Sequence, residues 1–397
     1  MAPQPLLPVT EAQERLFAMA PRAESESVSL AEAAGRWATE PVVALRSQPA
    51  ADLSAMDGYA IRFADLPGPW TVIGESAAGR AFGGPVGAGE AARIFTGAAM
   101  PAGADSILVQ EEAARDGDSL SLAGEGPPRL GMSVRRKGLD FSEGDTLIAA
   151  GERLTPARIA LAATGGHGML TVKRPLRIAV IATGDELIAP GTASSDPLAL
   201  PEGNSAMLAA MLADLPVDVE VLGIVPDKLD TLTATFAATR ADIIVTTGGA
   251  SVGDHDLVRP ALEAAGGAID FWRIALRPGK PMLAGRLGEA IVLGLPGNPV
   301  SAFVTATLFL RPLIAAMAGA GDPLSATLSA TLAEPLPAND RRQDYLRAKL
   351  DRGRVTVAGI QDSSMLATLA RADCLVVRAP HAPAAQIGDT VEIIPIA

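Results

Sequence analysis

Between residues 176 and 317 the chain alternates two kinds of segment. Runs at 176–182, 217–225, 243–247 and 290–295 are almost continuously apolar, and the stretches at 204–215, 228–240, 256–265 and 299–317 read as helices. Apolar strands separated by helices predict a mostly parallel sheet covered on both faces, the arrangement of an α/β domain. Upstream the pattern differs. Thr10 with Gln13 and Ser29 with Glu32 match the capping box, predicting two short helices near the N-terminus. Short β-rich runs follow at 71–73, 106–110, 120–122 and 146–148, separated by Gly- and Pro-containing turns. Thr155 then caps a helix with Pro156 at its first position, ending at Gly165-Gly166 and placed to pair with the N-terminal helices. After Gly321 short strands return at 328–332, 345–350, 355–357, 374–378 and 390–394. The expected divisions are a discontinuous helical part (1–45 and 135–174), an inserted β domain (46–134), an α/β domain (175–320) and a C-terminal β domain (321–397).

Composition narrows the chemistry. A chain of 397 residues suits two or three domains at about 150 residues each. Net charge is −12, and Phe 9, Trp 3 and Tyr 2 leave few rings for stacking, so nucleic acid is not an expected partner. One cysteine and three scattered histidines (His167, His255, His381) cannot build a structural zinc site, so a metal here is expected to be hard and oxygen-bound. Cys374, in a Leu/Val-rich run, reads as a small core residue. The uncharged stretch 290–310 is long enough to span a bilayer but carries Gly294, Pro296, Gly297, Asn298 and Pro299 at its centre. It reads as buried strand, loop and buried helix, with no membrane implied. Residues 1–10 show neither a basic leader nor a continuous apolar run, which makes the cytoplasm the expected location.

Four loops follow the apolar strands: Thr183-Gly184-Asp185-Glu186, Pro226-Asp227, the run from Thr246 to Asp254, and Leu295-Pro296-Gly297-Asn298-Pro299. Ligands of open α/β sheets bind beyond the carboxyl ends of the strands, so these loops should share one rim. Gly248 and Gly249 let backbone approach a ligand, and the helix starts that follow favour an anion. Asp185, Glu186, Asp227, Asp254 and Asp256 on the same rim would repel that anion unless a cation intervenes. Mg²⁺, which prefers one or two carboxylates plus phosphate oxygens, resolves the conflict, with Arg277 and Lys280 of the neighbouring turn neutralising the remainder. Phosphoryl or phosphoanhydride chemistry follows. Taken singly, each element has a plainer explanation: Asp185 and Asp227 as helix caps, Gly248-Gly249 as a tight turn, Lys280 as a solvated edge residue. Only their convergence favours a site. The spacing G-x-x-x-x-G-K-[ST] is absent, and the Gly248-Gly249 run lacks the G-x-G-x-x-G spacing of dinucleotide folds.

Six segments together resemble the molybdopterin molybdenumtransferases, the family of MoeA and the gephyrin E domain. They are Ser54-Ala55-Met56-Asp57-Gly58-Tyr59-Ala60, Thr96-Gly97 with Pro101-Ala102-Gly103-Ala104-Asp105, Thr183-Gly184-Asp185-Glu186-Leu187, the run from Thr247 to Gly253, Pro278-Gly279-Lys280-Pro281, and Leu295-Pro296-Gly297-Asn298-Pro299. The resemblance extends from about residue 10 to the C-terminus. It implies four parts: a helical segment, an inserted β domain, a central three-layer α/β molybdopterin-binding domain and a C-terminal β barrel. It also implies a homodimer whose cleft combines both subunits. The implied reaction inserts molybdenum from molybdate into adenylylated molybdopterin, releasing AMP with Mg²⁺. The implied catalytic residues are Asp57 and Thr96, reaching the cleft from the partner subunit, with Glu186, Asp227, Asp256 and Lys280. Glu186, Asp227 and Asp256 are also the implied metal-site carboxylates. Substrate contacts are implied for Gly184, Asp185, Thr247, Gly248, Gly249, Ser251, Gly253, Arg277, Pro296, Gly297 and Asn298. Arg277 stands where many members carry lysine, which alters donor geometry. The turn Asp362-Ser363-Ser364 replaces a Gly-Ser-Gly-like turn, so Ser363 is left outside this set. Two other readings stay open: a molybdopterin adenylyltransferase, for which the α/β portion alone would suffice, and a non-catalytic scaffold of the same fold.

Overall fold

The computed structural model describes residues 6–249 and 257–396. Its centre is a six-stranded sheet in the order Val217–Val225, Leu176–Thr183, Ile243–Thr247, Ala290–Leu295, Leu283–Leu287, Ala268–Trp272. The first four strands are parallel, as the apolar runs predict. The last two are antiparallel additions absent from the sequence reading. Leu283–Leu287 carries Gly285 and Arg286, and it returns through a short Gly288-Glu289 turn, so it does not show the continuous apolar character of its neighbours. Ile243 and Val245 pack into one core cluster and Ile244 into another, as expected for a strand buried on both faces. Leu229–Ala238 and Val258–Ala264 cover one face. Asn204–Leu212 and the helical run from Pro299 to Met317 cover the other.

The run from Pro299 to Met317 has a mean hydropathy of 1.7 and the length to cross a membrane, but 83% of it is buried, and it serves as the core helix of this layer. Val9–Met19 packs against it through Val9, Ala12 and Leu16, not against Pro156–Thr164 as expected. That burial also sets where the helix starts. It begins at Val9 without a side-chain cap, and Gln13, expected in a capping box with Thr10, donates instead to the Leu308 carbonyl at 2.8 Å. The second box is formed, with Ser29 and Glu32 satisfying each other at the start of Leu30–Ala33. This short helix packs beside Pro156–Thr164, with Ala33 and Ala162 in one cluster.

Two antiparallel ribbons lead into the inserted sheet: Val42–Val43 with Thr146–Ile148, then Leu53–Ser54 with Val134–Arg135. The inserted sheet has six strands, ordered Ser106–Val109, Gly58–Ile61, Glu90–Ile94, Trp70–Ser76, Ser119–Leu122, Ala113–Asp116. Its core is built on Tyr59, Ile61, Trp70, Leu108 and Leu120. At the other end of the chain, Leu328–Leu332, Gln343–Asp351, Arg354–Val357, Cys374–Arg378 and Thr390–Pro395 pair in a closed ring, a five-stranded barrel. Cys374 is fully buried in it, and burial pushes its thiol up to about 11, the behaviour of a packing residue. Leu276–Arg277 adds a parallel strand to Gln343–Asp351, so the α/β layer reaches into the barrel sheet.

One charge cluster ties the helical part to the α/β layer. Arg311 donates to both oxygens of Asp214, at 2.7 and 2.9 Å. Arg153, stacked over Trp37 at 5.5 Å, approaches the same carboxylate at 3.6 Å. The hydrogen bonds from Arg311 hold the Asp214 carboxyl below its usual range, with burial opposing them. A depressed folded-state pKa gives stabilisation that is complete above the unfolded carboxylate pKa, about 4, and disappears as pH falls through the folded value. Asp214→Asn should therefore lower the unfolding midpoint at pH 7, and the gap to the parent should close in acid. A gap unchanged between pH 7 and pH 3 in denaturation monitored by circular dichroism would refute this account of the clamp.

Candidate functional site

The register of the parallel strands brings their tips level. Thr183 lies beside Val225, Ala182 beside Thr247, and Thr247 beside Leu295. The four loops of the sequence reading therefore leave one edge of the sheet. Their backbones then close on one another. Gly248 takes φ +92°, and a Cβ there would lie 2.2 Å from the Thr183 carbonyl oxygen. Its N–H donates to the Leu295 carbonyl at 3.2 Å. A Cβ on Gly297 would in turn meet the Gly248 Cα at 3.4 Å. Three strand ends thus meet through glycine and carbonyl contacts that a side chain at position 248 would not allow.

The acidic residues sit at this junction. Thr183 Oγ1 donates to Asp227 Oδ1, and the Asp227 N–H donates to Asp185 Oδ1 at 3.1 Å. Neither aspartate caps a helix: Gly203 and Lys228 hold the cap positions, without side-chain cap bonds. The Glu186 carboxylate folds back over Gly184, where a Cβ would meet Oε2 at 2.7 Å. Asp185 and Glu186 are exposed and Asp227 half-buried. Among the described residues no three His, Cys, Asp or Glu side chains form a ready metal cage. One or two hard carboxylate donors fit Mg²⁺ when substrate supplies the other oxygens, and do not fit a soft or fully protein-ligated metal. Asp256, Ser251 and Gly253, with Asp254 and His255, lie outside the described residues.

The cationic turn is seated against the helix that follows the fourth loop. Gly279 has φ +112°, and a Cβ on it would lie 2.7 Å from Thr305 Cγ2, so the turn packs on the helix that begins after Asn298. Lys280, next in sequence, is exposed. Arg277 is engaged. Its Nε and Nη2 donate to the two oxygens of buried Asp344 at 2.8 and 2.6 Å, with Asp340 3.5 Å away. Its hydrogen bonds to Asp344 raise its pKa. Its charge is thus partly neutralised by the barrel.

Ser363 enters the rim as well. Asn298 Nδ2 donates to Ser363 Oγ at 3.0 Å, and the Ser363 carbonyl accepts from the Val300 N–H at 3.2 Å. Arg347, 1% exposed, holds this turn from beneath, donating to Gln361 Oε1 at 3.2 Å and the Asp362 carbonyl at 2.7 Å. Asn204 donates to the Gly297 carbonyl at 2.7 Å, stitching another helix start to the same loop.

Asp57 and Thr96 meet in the inserted sheet. Asp57 Oδ1 accepts from the Thr96 N–H at 2.7 Å and its hydroxyl at 2.9 Å. The backbone bond first, then the hydroxyl and the nearby Arg93 charge, hold the Asp57 carboxyl below its ordinary range. No hydrogen bond or ion pair joins this pair to the rim among the described residues.

Residues 7–166 match the family described as MoeA N-terminal region (domain I and II), 179–316 the probable molybdopterin binding domain, and 329–396 the MoeA C-terminal region (domain IV). The molybdopterin molybdenumtransferase of Haemophilus influenzae is 32% identical over 98% of both chains. Molybdopterin molybdenumtransferase 2 of Mycobacterium tuberculosis is 36% identical over 83% of this chain and 84% of its own. The chain belongs to the MoeA family. The crystal structure of the Pyrococcus horikoshii molybdopterin biosynthesis MoeA protein superposes with a TM-score of 0.84, at 26% identity over 99% of this chain and 100% of that one.

Within this MoeA-family chain, Asn204, Arg347 and Asp344 are rim and rim-supporting residues that the sequence reading missed, and Ser363, which it set aside, joins them. Asn204 directly follows Gly203 at a helix start and Ser363 lies between turn residues, so only long-range contacts reveal them. The glycine junction makes the sharpest structural prediction. Gly248→Ala adds a side chain at positive φ against a carbonyl, a strain of about 1–3 kcal/mol before any clash is relieved. It should lower the unfolding midpoint and abolish ligand binding at the rim. Unchanged thermal unfolding and anion affinity would show that the strand tips do not meet as described.

Proposed function

We propose that this chain transfers molybdenum from molybdate to adenylylated molybdopterin, cleaving the phosphoanhydride and releasing AMP in a Mg²⁺-dependent step of molybdenum cofactor biosynthesis. The observation that carries the reading is the level meeting of strand tips at Gly248, with carboxylates on one side and the Lys280 turn on the other. In this proposal the phosphate groups lie against Gly184, Thr247, Gly248 and Gly249 and the helix start at Pro296, Gly297 and Asn298, where backbone donors favour negative charge. Glu186 and Asp227, with Asp256, would hold Mg²⁺ and orient the water that attacks phosphorus; Asp185, Ser251 and Gly253 contact the substrate. When held by these carboxylates, Mg²⁺ would supply charge neutralisation at phosphate and polarisation of the P–O bond. Lys280 grips molybdate, and Arg277, already braced by Asp344, adds charge behind it.

Asp57 and Thr96 belong to this site through a second subunit: the functional unit is a homodimer, and the inserted sheet of each protomer faces the rim of its partner. The low pKa of Asp57 keeps it ionised there at any physiological pH. The parts divide at 1–45 with 135–174, 46–134, 175–320 and 321–397, and the protein works in the cytoplasm on small anionic substrates. The adenylyltransferase reading is disfavoured because the barrel contributes Ser363 and Asp344 to the rim, which an enzyme needing only the α/β portion would not require. A scaffold would not need the acidic junction at Thr183 and Asp227.

The test is AMP release from adenylylated molybdopterin with molybdate. Glu186→Gln and Asp227→Asn should each cut the rate at least tenfold and weaken Mg²⁺ dependence, while the folds stay intact. Lys280→Ala should raise the molybdate concentration for half-maximal rate. Parental rates in the carboxylate variants would overturn the metal assignment, and an unchanged molybdate requirement would remove Lys280 from the oxyanion site.

A further inference from the structure

One buried carboxylate at the rim has no cation. Of the charged residues the fold buries, Asp344 holds Arg277, while Arg36, Arg347 and Arg378 donate to carboxylate, amide or carbonyl oxygens. Glu202, 7% exposed, has a single bond: Oε1 accepts from the Ser205 N–H at 3.0 Å, and no cation pairs with it among the described residues. A largely buried carboxylate with one hydrogen bond gains when a ligand supplies a second donor. Beside it, Ser205 is 3% exposed, and its hydroxyl has no hydrogen-bond partner. The Ser205 hydroxyl is the unsatisfied buried atom of this turn, while the second Glu202 oxygen, which makes no hydrogen bond to a described residue, is the one left for a ligand's donor.

The turn lies inside the rim. Glu202 N–H donates to the Ile188 carbonyl at 2.9 Å and Leu200 N–H to the Glu186 carbonyl at 2.8 Å, which joins it to the first acidic loop. Asn204 donates to Gly297, which joins it to the loop before the core helix. A free carboxylate oxygen repels phosphate and selects a donor-rich edge. If the rim binds a pterin nucleotide, as proposed above, one part of that substrate has this character: the 2-amino-4-oxopyrimidine edge of the pterin, with its ring N–H and exocyclic amine. We propose that Glu202, positioned by Ser205, reads that edge. The inference rests on the pterin reading of the site and deepens it by assigning the orientation. The pterin head lies at the start of Asn204–Leu212, and the phosphates point toward Gly248 and Lys280.

The experiment compares free pterin with lumazine, in which a carbonyl replaces the 2-amino group, by fluorescence titration of the full-length protein. The parent should prefer pterin by at least about tenfold, the scale of a charge-assisted hydrogen bond. Glu202→Gln keeps an acceptor for the Ser205 N–H, so it should fold normally and reduce the preference to within about twofold. Ser205→Ala keeps the backbone N–H that positions Glu202, so it should leave the preference for pterin unchanged within about twofold, and loss of the preference in this variant would contradict the assignment to Glu202. Equal affinity of the parent for both compounds, no measurable pterin binding at millimolar concentration, or a preference that survives in Glu202→Gln each overturns the assignment. AMP release is scored separately. A parent that releases AMP yet does not discriminate loses only the Glu202 assignment. One that discriminates but never releases AMP keeps it and loses the molybdenum-transfer reading.

Discussion

The site depends on a backbone contact. Three parallel strands end level, and the chain leaving the middle one passes so close to the Thr183 carbonyl that only glycine fits at position 248. This close approach forces Thr183, Gly248 and Gly297 into one junction. The side chains that follow each tip then have little freedom over where they point. Asp227 is held by the Thr183 hydroxyl, Asp185 by the Asp227 N–H, and Asn298 by Ser363. Chemistry at the rim is thus set by strand register, which the cores on both faces of the sheet enforce.

The rest of the molecule stabilises or extends that edge. The barrel reaches it twice, through the added strand Leu276–Arg277 and through the turn that Arg347 braces. The helical part is tied to the α/β layer by Trp37, Arg153, Asp214 and Arg311, and in turn carries the two ribbons leading to the inserted sheet. Charge is divided along the rim. Acidic residues cluster after the first two strands, and the Lys280 turn packs on the helix after the fourth. A chain with net charge −12 can hold anionic substrates only where such local cations, helix starts or a bound divalent ion offset its general repulsion.

Much of this was legible in the amino-acid sequence, for identifiable reasons. Continuously apolar runs marked the three inner parallel strands, because burial on both faces leaves few polar positions, whereas the edge strand Val217–Val225 carries Asp218 and Glu220 and is largely exposed. The loops after those runs followed by geometry, and their glycines, including Gly248, were visible as candidates before any contact was known. The antiparallel strands Ala268–Trp272 and Leu283–Leu287 were not legible. Glycine and charged residues interrupt them, and they gain their place only by pairing with a strand already in the sheet. The start of the first helix was misread because burial of Val9 outweighed a local capping pattern at Thr10. Ser363 and Asn204 are set by tertiary contacts tens of residues away, which no local pattern encodes. The pairing of Arg277 with Asp344 is of the same kind, and it changes what a basic residue in that turn has left to offer.

The central claim is that the edge where the strand tips meet is where the anionic substrates bind. A crystal structure of the protein soaked with AMP, molybdate and Mg²⁺ tests it most directly. The account predicts phosphate density within about 3 Å of backbone N–H groups at Gly248–Gly249 or the Asn298 helix start, and molybdate beside Lys280. Both anions bound at the opposite, amino-terminal end of the strands, with the Gly248 junction left empty, would contradict it.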